Sequence, residues 1–115
     1  MGDPMGSNMR RSLEQKTVLI AASGTNSETV VGGKYAMYGL ICPSALTGSA
    51  IHFEVSPGGG TFYDLYDASN AQVTVTIGTS RAYDLPAELC SWPYWRFVSN
   101  GTEADVRSFT VVCKS

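Results

Sequence analysis

The sequence is short of charge and of the side chains that carry chemistry. Asp, Glu, Lys and Arg make up 16% of its 115 residues, against roughly 25% in an average protein. A surface so sparsely charged is expected to be covered in part by partners rather than by water. The eight basic residues are scattered, only Arg10 and Arg11 are adjacent, and the net charge is −2. Phosphate neutralisation needs clustered Lys and Arg, so nucleic acid is not an expected partner.

Long apolar runs are also missing. None approaches the ~20 residues of a membrane span, and no apolar stretch follows Arg10-Arg11 as a secretion signal would require. The expectation is a soluble protein made in a cytoplasm, with no membrane partner. Cysteine is scarce and unpaired in spacing: Cys42, Cys90 and Cys113, with no C-x-x-C. Free thiols in a reducing compartment are expected, a Cys42–Cys113 bridge being the alternative. With His52 the only histidine, no zinc set can be assembled at ordinary ligand spacing. Gly58-Gly59-Gly60 is followed by neither a helix nor a Lys-Ser/Thr pair, so it is not a phosphate loop. No cofactor and no metal is expected.

What is present is β patterning. Twelve glycines and twelve aromatics (two Trp, six Tyr, four Phe) accompany short alternating runs. In Ala50–Asp67, Ile51, Phe53 and Val55 share one face while His52 and Glu54 take the other, the period of two of a half-buried strand. Pro57 to Gly60 then makes a hairpin tip. The return run, Thr61 to Tyr66, carries aromatics on both faces, which predicts cover on both, by a second sheet or a neighbouring molecule.

Further strands are expected over Lys16–Ala22, Glu28–Val31, Tyr35–Cys42, Gln72–Ile77, Ser80–Leu85, Tyr94–Val98 and Asp105–Lys114. Tyr35–Cys42 is apolar on both faces, as in a central strand covered on both sides. Val73, Val75 and Ile77 point in, as do Phe109, Val111 and Cys113. Pro86 to Cys90 has proline at a first helical position and Glu88 in the first turn, giving one short helix. About eight or nine short strands at even spacing define an all-β single β-sandwich or jelly roll over residues 15–115. Residues 1–14 precede it as an extended arm.

The polar candidates each have a structural reading. Asn100-Gly101-Thr102 is a formal glycosylation sequon but reads as a turn. Asp64, Asp67 and Asn70 have oxygen ligands at three-residue intervals, yet match no EF-hand, and turn capping explains them. Trp92, Tyr94 and Trp95 read as core or inter-subunit anchors, or else as a platform for stacking a sugar. An enzyme would need a pocket where His52 or Asp64 meets a second titratable group. None is expected.

Phe53-x-x-Ser56-Pro57-Gly58-Gly59-x-x-Phe62-x-x-Leu65 resembles the F-x-x-S-x-D-G-x-x-F/W-x-x-L hairpin of galactose-binding-like jelly rolls, with the Asp-Gly replaced. A closer resemblance, over about residues 15–115, is to small virion proteins of tailed bacteriophages. It is carried by Gly32-Gly33, Gly39-Leu40, Pro43, Phe53, Ser56, Phe62, Leu65-Tyr66-Asp67, Val73-Thr74-Val75, Arg81, Leu85, Arg96-Phe97, Gly101-Thr102 and Arg107. The resemblance implies a non-enzymatic virion component: a capsid decoration (cement) subunit on the head shell, or a neck or tail subunit. A carbohydrate-binding module facing a host glycan is the alternative from another class. The implied partners are a major capsid protein or other virion subunits and further copies of the chain, a trimer at a three-fold axis being one form. The expected contact residues are Met5, Met9, Arg10 and Arg11 of the arm, Pro57, Gly58 and Gly59 of the tip, and Trp92 and Tyr94.

Overall fold

The computed structural model describes residues 13–32 and 35–115, so the arm residues 1–12, with Met5, Met9, Arg10 and Arg11, lie outside the described residues, as do Gly33 and Lys34. Nine strands follow one another: β1 Leu13–Ile20, β2 Val30–Val31, β3 Met37–Ile41, β4 Ala50–Ser56, β5 Tyr63–Asp64, β6 Thr74–Thr76, β7 Ala82–Asp84, β8 Tyr94–Ser99 and β9 Arg107–Lys114. Among the described residues the one helical element is a 3-10 turn, Ala87–Ser91, directly after Pro86.

The strands form two antiparallel sheets. One has the order β1-β9-β3-β7; the other runs β2-β8-β4-β5, with β6 also on β4. Almost every connection passes from one sheet to the other, the winding of a jelly roll. β5 and β6 together make one interrupted strand beside β4, pairing with Glu54–Val55 and Ala50–His52 respectively. The excursion between them is tied by a Tyr66–Gln72 bridge and by Asp67 Oδ1, which accepts from Ser69 and Ala71 N–H at 2.8 and 3.0 Å. Asn70 takes φ +64° at its apex, a conformation Asn tolerates better than most residues. Turn capping therefore occupies Asp67.

The alternation of the sequence sets the core. Ile51, Phe53 and Val55 of β4 face Phe97 and Trp95 of β8 within their sheet and Phe109, Val111 and Cys113 of β9 across the gap, all at most 2% exposed. Phe97 and Phe109 meet edge to face at 4.9 Å, and Trp95 packs similarly on Tyr38 and Phe53 at 5.0 and 6.0 Å. Burying each of these rings contributes about 2–3 kcal/mol.

Two expectations need correction. The first strand begins at Leu13 and ends at Ile20, because its partner β9 runs to Lys114 and the register Leu13↔Lys114 to Ile20↔Arg107 keeps it paired throughout. The return run of the hairpin is only two residues of strand, with Leu65 alone buried, so Tyr63 and Tyr66 stand 59% and 51% exposed.

Candidate functional site

Three surfaces collect the candidate residues. The first is the outer face of the β1-β9-β3-β7 sheet. Its register lines up Leu13, Lys114 and Met37 in one row, Gln15, Val112, Gly39 and Asp84 in the next, and Thr17, Thr110, Ile41 and Ala82 in a third. Leu13, Met37 and Ile41 are 70%, 42% and 44% exposed. Gly39 has no side chain to fill its place between Val112 and Tyr83, which leaves a hollow of about 270 Å³. β3 was expected to be covered on both sides. Tyr38, Leu40 and Cys42 are buried, whereas the outward Met37 and Ile41 are left 42% and 44% exposed among the described residues.

The second surface is the hairpin tip. Pro57, Gly58, Gly59 and Gly60 are exposed, and Gly59 lies against the Tyr94 ring with φ +85°, its N–H donating to Ser56 Oγ at 2.8 Å. Any side chain there would be strained. The structure thus joins two expected contact sites, the tip and Tyr94, into one. Trp92 is half-buried against the core beside the 3-10 turn, and Trp95 is fully buried. Trp95 is therefore unavailable for stacking a sugar, and no aromatic platform forms from the three.

The third is the outer face of the other sheet, where cross-strand pairing brings together groups the sequence left apart. His52 Nε2 lies 3.7 Å from Asp64 Oδ1, and Arg96 Nε donates to Glu54 Oε1 at 2.6 Å. The Arg96 guanidinium also covers the Phe62 ring, 4.2 Å from its centroid. The ligand atoms of His52, Glu54 and Asp64 lie within 4.8 Å of one another. The Glu54 carboxylate, however, already holds a cation in Arg96, and half of the Asp64 side chain is exposed. His52 does meet a second titratable group, on an open sheet face rather than in a pocket.

The polar centre that sequence reasoning missed is Glu103. It sits in the loop before β9, fully buried, and its carboxylate accepts from Thr47 and Gly48 N–H, Ser99 Oγ and Arg107 Nε at 2.8–3.0 Å. Burial alone would raise its pKa, but these donors outweigh burial and hold the carboxyl at about 2. Next to it, Asn100 Oδ1 accepts from Ser49 and Ala50 N–H, so the sequon asparagine caps a turn. The thiols are free; burial pushes Cys42 up to about 11 and raises Cys90 and Cys113. They are poor nucleophiles.

What the fold and these surfaces define is a small jelly-roll sandwich whose candidate sites are faces and loops. No protein-family model matches the sequence, and no curated protein matches it. Among solved structures, the fold is similar to that of the SPBc2 prophage-derived protein YomS, with a TM-score of 0.64 and 14% identity over 93% of this chain and 96% of that one. The likeness is one of fold.

Proposed function

We propose that this chain is a non-enzymatic structural subunit of a tailed-phage virion, and specifically a capsid decoration (cement) subunit seated on the head shell. The carrying observation is the outer face of the β1-β9-β3-β7 sheet, where Ile41 lines the Gly39 hollow and Met37 and Leu13 also stand exposed, on a domain whose core is already filled without them. Exposed large apolar side chains interspersed with Gln15, Thr17, Asp84, Thr110 and Lys114 suit a contact with another protein. The low charge of the sequence and the prophage origin of the structural neighbour support the same reading. Leu13 lies in the first row of that face, and in this reading Met5, Met9, Arg10 and Arg11 of the preceding residues act as a clamp; Pro57–Gly59 with Tyr94 form a second contact. Many copies on one shell would multiply a modest single contact. The test is to strip the protein from particles, measure the temperature at which they release their contents, and add the protein back. A lower release temperature, restored on re-addition, supports the cement role. Unchanged release defeats it and favours a neck or tail position.

A further inference from the structure

The edges of the two sheets differ in length. β2, β5, β6 and β7 are each two or three residues long, whereas β1 is an eight-residue edge. Its last part is protected: Leu19 N–H donates to Glu28 Oε1 at 2.9 Å, and Leu19 C=O accepts from Glu28 N–H at 3.0 Å. Leu19 therefore turns its main-chain groups away from β9, and by the alternation of an antiparallel ladder so do Leu13, Gln15 and Thr17. Among the described residues, nothing bonds the outward main-chain groups of Gln15 and Thr17. Among the described residues the open window is Leu13–Thr17, and Gln15 is its centre.

An open edge of this kind is a template for another strand, and its charges say which one. Glu14 and Lys16 point to the inner side of the sheet, where Glu14 accepts from Tyr35 Oη and Lys16 Nζ donates to Val31 C=O at 2.9 Å. We infer that β1 pairs antiparallel with β1 of a second copy about a twofold axis through Gln15, making one continuous eight-stranded sheet. In that register Gln15 faces the partner's Gln15, and Leu13 and Thr17 face the partner's Thr17 and Leu13 as hydrogen-bonded pairs. Glu14 then falls opposite the partner's Lys16, and Lys16 opposite the partner's Glu14. These are non-hydrogen-bonded positions, where side chains approach most closely. Neighbouring registers that keep the hydrogen bonds fail. Centring on Lys16 sets that residue against itself and needs the occupied Leu19 groups; centring on Glu14 sets like carboxylates together. The two inward charges that reject other pairings accept this one.

The pairing also joins the outer faces of two copies, extending the surface proposed to contact the shell, but it stands without that reading. A five-residue edge lies at the small end of specific interfaces, so the dimer is reversible and concentration-dependent. Sedimentation of the full chain is expected to show mass rising from 12.3 kDa towards twice that value as concentration increases. Lys16→Glu or Glu14→Lys alone is expected to weaken the association at least tenfold, and the double exchange Glu14→Lys with Lys16→Glu to restore it. Gln15→Pro, which removes an outward N–H and no bond to β9, is expected to abolish it with the thermal melt of the monomer retained. A protein that stays monomeric at near-millimolar concentration overturns the inference, as does a dimer indifferent to the single reversals or not rescued by the double exchange. Loss of particle binding with dimerisation intact would count against the shell contact alone.

Discussion

Arg107 Nε donates to Glu103 Oε1 at 2.8 Å, and the carboxylate it meets has no exposed surface. The pair clamps the entry to β9 against the Thr47–Gly48 turn, some 55 residues earlier in the chain. Because the folded carboxyl is held at about 2, below its ordinary 4.5, its stabilisation is complete above pH 4.5. It is lost as pH falls from there towards 2. The shift corresponds to at most about 3 kcal/mol. Glu103→Gln leaves Arg107 without its counter-charge and is expected to cost about 3 kcal/mol at pH 7. Urea denaturation at pH 7 and pH 3 checks both: the difference between parent and variant should shrink at the lower pH.

Gly32 and Tyr38 are coupled by space. A Cβ on Gly32 would run into the buried Tyr38 hydroxyl, which among the described residues makes no hydrogen bond of good geometry, nor does the neighbouring Trp95 Nε1. Gly32→Ala is expected to destabilise by about 1–3 kcal/mol through overpacking. Tyr38→Phe removes a polar group that burial penalises and is expected to be neutral or stabilising. Combined, the two should cost less than Gly32→Ala alone, and a thermodynamic cycle from melting curves measures the coupling. Strict additivity would show that the hydroxyl is not the obstacle.

Much of this fold could be read from alternation. Ile51, Phe53 and Val55 declared their face because a strand with one buried side must repeat every second residue, and Phe109, Val111 and Cys113 did the same. Where both faces of a run are apolar the sequence does not say what covers them, and the described residues leave Met37 and Ile41 on the outer face of β3 partly exposed. Glu103 was illegible for a different reason. It sits in a loop beside Asn100-Gly101-Thr102, with the look of a solvated turn, and its burial depends on donors from Thr47 and Gly48. The His52–Asp64 and Glu54–Arg96 contacts likewise depend on register between strands. Polar parity on β4 was the one local signal for them.

Arg96 is placed to distinguish charge from shape. Its Nε bonds Glu54 while its guanidinium lies flat on Phe62, and both ionic side chains are about a quarter exposed. Arg96→Lys keeps the charge but loses the planar stack, so a cost of about 1 kcal/mol is expected. Molar salt should weaken the ion pair and leave the ring contact largely intact. A loss of stability from Arg96→Lys that persists in 1 M salt assigns it to stacking; a loss that vanishes assigns it to charge.

The outer face of the β1-β9-β3-β7 sheet separates folding from attachment. Met37 and Ile41 flank Gly39 on the outer face and stand 42% and 44% exposed, so Met37→Lys and Ile41→Lys should change unfolding free energy by about 1 kcal/mol at most. Leu40 lies between Met37 and Ile41 in sequence but points inward at 1% exposure, and Leu40→Ala should cost about 2–5 kcal/mol. If the face seats the subunit on a shell, the two lysine variants should fold as the parent does and yet fail to rebind stripped particles, because a charge desolvated without a partner opposes docking. Co-sedimentation of each variant with stripped particles, alongside its melting curve, makes the comparison. Lysine variants that rebind as well as the parent would remove this face from the contact and leave the Pro57–Gly59 tip with Tyr94 as the surface to test.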